Sequence, residues 1–153
     1  MSEPTFDSSP SPTPGVRSRR FAVVTVGVTV AIWAGLGAWL LIWPERLPAS
    51  FGADATPALR TEVRAFYGGL ELAIAAVLSW LVRRDLTAAT LLGGLPLLLM
   101  GLSRLLGLAA DAPLPPPHQR LHLVLMASEL LGAGLNLTAF ALLRRIERSA
   151  AAS

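Results

Sequence analysis

Four long apolar runs divide the chain. Phe21–Trp43 carries no charged residue, Ala65–Val82 carries only Glu71, Leu86–Ala110 only Arg104, and Leu121–Leu143 only Glu129. About 20 predominantly apolar residues span a bilayer's hydrocarbon core as a helix, so the first, third and fourth runs suffice as they stand. The second is shorter, but Thr56 followed by Pro57 has the form of an N-cap and a first helical position. A helix started there covers about 39 Å by Val82, at 1.5 Å per residue. The pattern predicts an all-α fold, a four-helix transmembrane bundle with helices at about 21–43, 57–82, 86–110 and 120–146 and a membrane domain over 21–148. Residues 1–20, MSEPTFDSSPSPTPGVRSRR, are rich in Ser and Pro without apolar periodicity and read as a disordered tail.

The first run exceeds the roughly 7–15 residues of a signal-peptide core. It holds Trp33, Trp39 and Trp43, and no convincing A-x-A site follows it, so it reads as a retained anchor. Arginine placement sets the orientation. Arg17, Arg19, Arg20, Arg83, Arg84, Arg144, Arg145 and Arg148 flank one side, against Arg46, Arg60, Arg64 and Arg120 on the other. The richer side is expected to be cytoplasmic, with both termini inside. Trp43 and Trp80 then fall near opposite interfaces, where indoles settle.

Composition agrees: 53% of residues are hydrophobic and 15% charged, against about 25% charged in average soluble domains. There is no cysteine, which excludes disulfides, thiolate metal sites and thiol redox chemistry. Every basic residue is Arg, and with the abundant Ala, Leu, Gly and Pro this suggests a GC-rich bacterial source and a bacterial cytoplasmic (inner) membrane. The sequence pI is about 11, but the arginines are scattered beside apolar segments, as topology signals are, and no nucleic-acid partner is expected.

The charges inside the runs are the candidate chemistry. A charge at the bilayer centre costs about 2.5–3.5 kcal/mol on insertion scales, so each needs a partner. At 3.6 residues per turn, Arg60, Arg64, Tyr67 and Glu71 share a face of the second helix. Arg104 and Asp111 share one on the third, and His118, His122, Glu129 and Asn136 on the fourth. Depths match as well: Glu71 lies about 13 Å below Glu62, Glu129 about 12 Å below Leu121, and Arg104 within about 10 Å of the same boundary. The expectation is an Arg104–Glu71–Glu129 cluster in the outer leaflet, with Arg64, Tyr67 and His122 above it. One guanidinium has five donors and serves two carboxylates. The count leaves one negative charge, balanced by Arg64 or by a proton shared between the carboxyls. A cluster of this kind also locks helices together without any further role.

Weaker signals are read as packing. Gly27, Ala31, Ala34 and Ala38 form a small face on the first helix, Gly68-Gly69 lies on the second and Gly93-Gly94 on the third. Pro96 is expected to kink the third helix. The segment 44–57 reads as a loop, with Phe51 dipping toward headgroups. His118 and His122 stand four apart, but no third ligand is near and Pro115–Pro117 argue against a helix at His118. No metal or cofactor is expected. No phosphate loop, catalytic triad order or HExxH motif occurs.

The run ALRTEVRAFYGGLELA (58–73), then GLSRLLGLAAD (101–111) and a glutamate in the last helix, resembles the bacterial family called domain of unknown function 4345. The resemblance spans about residues 20–145, on Arg64, Tyr67, Gly68, Gly69, Glu71, Arg104 and Glu129. It implies a small four-helix integral membrane protein and carries no established activity. Four-helix DoxX-type membrane proteins are similar in architecture only.

Three functions remain open at this point. The first is a non-enzymatic protein whose outward-facing pocket binds or passes a small ligand or proton. The second is an accessory subunit with a membrane-protein partner or further copies of itself. The third is an enzyme acting on a lipid or quinone through Glu71 or Glu129, though no motif calls for an enzyme. In each case membrane lipids are the surroundings.

Overall fold

The computed structural model describes residues 14–110 and 116–152, and these are helical with short connections and no strand. Helix α1 is Pro14–Ile42, followed by the short α2, Arg46–Ser50. The second crossing is composite: α3, Pro57–Glu62, runs through a π-helical segment, Val63–Gly69, into α4, Leu70–Arg84. Helix α5 is Leu86–Ala110 and α6 is Pro116–Ala151. Four helices, over Gly15–Ile42, Pro57–Arg84, Leu86–Ala110 and His118–Ala151, are long and apolar enough to cross a membrane.

The burial pattern is that of a transmembrane bundle. The outward side chains include Val24, Ile32, Phe66, Leu106, Val124 and Leu131, all more than half exposed, whereas Thr25, Thr29, Glu71, Thr90, Glu129 and Asn136 are buried. Water would reward the opposite arrangement. In lipid the exterior needs no polarity, and buried polar groups serve as interhelical contacts. Trp43 and Trp80 are both exposed, at opposite ends of the bundle.

Neighbouring helices follow the order α1, α4, α5, α6 around the bundle, with the broadest contact between α5 and α6 and with α4 and α6 across a diagonal. Four crossings put both termini at one end, called here the terminal end. The loop end carries α2. At the terminal end Asp85 alone joins α4 to α5. Its backbone is extended, its carboxylate accepts from Ala88 N at 2.8 Å, and its N–H donates to Leu81 O at 2.7 Å. Thr87 donates to Glu147 at 2.6 Å, and Phe21, Ala22, Leu86, Ala139 and Leu143 close the core there.

Glycines set the close approaches. A Cβ on Gly37 would lie 2.9 Å from Gly68 O and 3.1 Å from Glu71 Cβ, and one on Gly68 would meet the Leu41 side chain at 2.8 Å. A Cβ on Gly93 would lie 2.7 Å from Asn136 Oδ1, and one on Gly101 would lie 2.7 Å from Leu130 Cδ2. α1 and α5 therefore touch their partners through missing side chains. The buried stripe of α1 is Ala22, Thr25, Val26, Thr29, Trp33, Gly37 and Leu40. The small face expected at Gly27, Ala31 and Ala38 points outward instead, and Gly27 has nothing within 4 Å. Space around a glycine matters only where a helix approaches, and the approach comes on Gly37's side.

Other expectations change as well. The tail read over 1–20 gives way to helix from Pro14; residues 1–13 lie outside the described residues. A proline suits a first helical turn, and Arg17, Arg19 and Arg20 are exposed there. Asp111 lies outside the described residues. His118 is helical, because α6 starts at Pro116, where prolines cost no hydrogen bond. Helix α5 continues through Pro96. The 44–57 connection contains α2 and turns at Gly52, whose φ of 72° favours glycine.

Candidate functional site

Gly101 and Arg104 are three residues apart and share a face of α5. With no side chain on Gly101, α6 comes close enough that Glu129 Cβ would sit 3.6 Å from a Cβ there. One turn further, Arg104 Nε donates to Glu129 Oε1 at 2.8 Å and Oε2 at 2.9 Å. The Glu129 side chain is 8% exposed and that of Arg104 is 25% exposed. A single Nε–H thus satisfies both carboxylate oxygens, and the terminal guanidinium nitrogens point elsewhere. One of them, Nη1, reaches His122 Nδ1 at 3.5 Å. An arginine only donates, so Nδ1 accepts in that contact.

The loop end closes over this group. Phe51, just past α2, stacks on the His122 ring with centroids 5.4 Å apart and planes 25° apart. Gly52 faces His118, whose Cε1 would lie 3.5 Å from a Cβ at 52. Phe51 therefore packs on a histidine, where the sequence suggested headgroups. The two histidines point to different neighbours, His118 to Gly52 and His122 to Arg104 and Phe51.

The expected three-way cluster does not form. Arg104, Glu129 and His122 come together, whereas Glu71, Arg64 and Tyr67 go separate ways. The cause is the π-helical segment. Leu70 N–H bonds to Ala65 O, five residues back, so side chains four apart no longer stack. The inward face of the second crossing is Val63, Gly68, Glu71, Ala75 and Leu78. Its first step is five residues where an α-helix takes three or four. That step replaces the expected Arg60, Arg64, Tyr67, Glu71 face.

Arg64 is exposed and its Nε donates to Leu41 O at 3.2 Å. Leu41 is in the last turn of α1, where carbonyls lack helical partners and a cation suits the helix dipole. Arg64 caps a helix and does not balance the carboxylates. Tyr67 is 48% exposed and lines a shallow outer groove with Leu59, Glu62, Val63, Phe66 and Leu70. Arg60 is also engaged locally, through Nε to Ala55 O at 2.9 Å. Glu71 is 5% exposed, its Cβ lies against Gly37 of α1, and its Oε2 is buried without a hydrogen-bond partner. The expected surplus negative charge is therefore not at Arg104, which is matched by Glu129, but at Glu71.

A second polar group lies deeper. Asn136 Nδ2 donates to Thr29 Oγ1 and Gly132 O, both at 2.9 Å, and Thr29 donates to Thr25 O at 3.0 Å. Those acceptors fix the amide orientation, because Gly132 O can only accept and the Thr29 hydrogen is already used. Oδ1 then faces Gly93 and has no conventional partner. The Cα–H of Gly93 points at it, a weak donor. Sequence reasoning placed Asn136 on the Glu129 face but missed Thr29, Gly37 and Gly101. The signal for Gly101 was its position one turn before Arg104.

Comparison with known proteins places the chain in a family. The family model described as Domain of unknown function (DUF4345) matches residues 20–140. No curated protein and no solved structure matches the chain.

Proposed function

We propose that this chain, which belongs to the DUF4345 family, is a non-enzymatic multi-pass membrane protein that binds a small ligand at Arg104. The observation that carries the reading is how the guanidinium is used. Glu129 takes only Nε, leaving terminal N–H donors on a side chain that remains 25% exposed. A structural lock would turn its forked face to the carboxylate, the stronger arrangement. Here that face is left for something else. A ligand with an acceptor oxygen fits these donors, and the Phe51–His122 stack supplies a flat apolar flank. Glu129 already neutralises Arg104, so the oxygen need not be charged. Intramembrane ionisable groups commonly mark such sites. The arginine distribution supports a cytoplasmic terminal end, which turns the site outward in a bacterial inner membrane.

The test is native mass spectrometry of full-length protein purified in mild detergent, with Arg104→Gln and Arg104→Lys alongside. Wild type should carry a small molecule with an acceptor oxygen. Arg104→Gln should lose it while eluting as wild type does on size exclusion, and Arg104→Lys should retain part. Equal occupancy in all three rejects the reading.

A further inference from the structure

Glu71 stands apart from every other described acidic group near the bundle core. Glu129 has Arg104 on both oxygens. Glu147, at the terminal end, accepts from Thr87 and Arg144, and Asp85 accepts from Ala88 N. Glu71 is 5% exposed, and its Oε2 is buried with no partner. The neutral Asn136 Oδ1 shares that lack, but it backs onto a Cα–H and carries no charge to compensate.

The neighbours offer no cation. On α1 the facing residue is Gly37, with Trp33 and Leu40 buried one turn to either side. In the second crossing itself, Arg60 and Arg64 are bonded to Ala55 O and Leu41 O, and Glu62 is exposed. On α5 and α6 the charged groups at this end are Arg104 and Glu129, bonded to each other, and Arg120, which is exposed. A buried carboxylate with no such counter-charge must be neutralised by something that is not a side chain.

Gly37 also brings a second oxygen to the place. Its missing Cβ would lie 2.9 Å from Gly68 O and 3.1 Å from Glu71 Cβ. A backbone carbonyl and the base of the Glu71 side chain therefore pack together against Gly37, at the end of a π-helical segment, a local geometry frequent at functional sites. We propose that Glu71 is the seat of one exchangeable monovalent cation, a proton or a sodium ion, separate from the Arg104 site. The packing at Gly37 is too tight for anything bulkier, and either ion cancels the same charge. This inference does not rest on ligand binding at Arg104.

Dicyclohexylcarbodiimide tests it on wild-type, full-length protein in detergent. The reagent is apolar and reacts with a carboxylic acid. The O–H adds across one C=N bond, the proton goes to nitrogen, and rearrangement leaves a stable N-acylurea with no leaving group. Peptide mass spectrometry in sodium-free buffer should find the adduct on Glu71 and not on the ion-paired Glu129. If the cation is sodium, added sodium chloride suppresses the adduct and choline chloride does not. If it is a proton, sodium has no effect and the adduct is lost as pH rises. Glu71→Gln should abolish the labelled peptide while leaving size-exclusion behaviour unchanged. An unlabelled Glu71 at every pH in sodium-free buffer, with labelling after denaturation, overturns the proposal. So does a label indifferent to both sodium and pH.

Discussion

Arg104 and Glu129 depend on each other in a way that single substitutions should expose. Arg104→Leu would leave a carboxylate that is 8% exposed without the one hydrogen-bond donor it has among the described residues. Breaking one side of a buried pair typically costs about 3–5 kcal/mol, whereas replacing both partners by apolar residues is close to neutral. Thermal unfolding in detergent should therefore show Arg104→Leu well below wild type and Arg104→Leu with Glu129→Leu recovering most of the loss. A double variant no better than the single one would mean that the pair is not what holds this region. The meeting of Arg104 with Glu129 was legible in the sequence, because two lone charges in apolar runs at similar depth have few other partners. The placement of Glu71 was not. Its face was read at 3.6 residues per turn, and nothing in VRAFYGG announces the wider turn that moves Arg64 and Tyr67 aside.

At the scale of elements, glycine positions divide into those that join helices and those that do not. Gly93→Ala would place a Cβ 2.7 Å from Asn136 Oδ1, inside the α5–α6 seam, where an overpacked atom costs about 1–3 kcal/mol. Gly134→Ala on the outward side of α6 has nothing within 4 Å and gains helix propensity, up to about 1 kcal/mol. Melting curves should place the first variant below wild type and the second at or above it. Element existence was readable from run length, and the start of the second crossing from its cap: Thr56 Oγ1 does accept from Leu59 N, at 3.3 Å. Which glycine faces a neighbour was not readable. Gly27 and Gly37 look alike in sequence, and only helix rotation separates them.

At the scale of the molecule, the chain's lack of cysteine makes its topology simple to test. Ser50, beside Phe51, and Ser149, near the end of α6, are both exposed at opposite ends of the bundle. In intact cells a membrane-impermeant maleimide should label Ser50→Cys. Ser149→Cys should react only after permeabilisation, as the arginine bias requires. The reverse pattern would invert the bundle and turn Arg104 toward the cytoplasm.

The two ends of the bundle are not equally tethered. One residue, Asp85, links α4 to α5, and Thr87–Glu147 fastens α5 to α6 beside it. The far end has longer connections and is held, among the described residues, by a stacked ring pair, one ion pair and the Arg64 bond to Leu41 O. The bundle is thus built like a clothes-peg, with its pivot at Asp85 and its jaws at Phe51 and Arg104. A small rotation at the pivot grows along the helices, so the proposed site at Arg104 lies where the displacement is greatest.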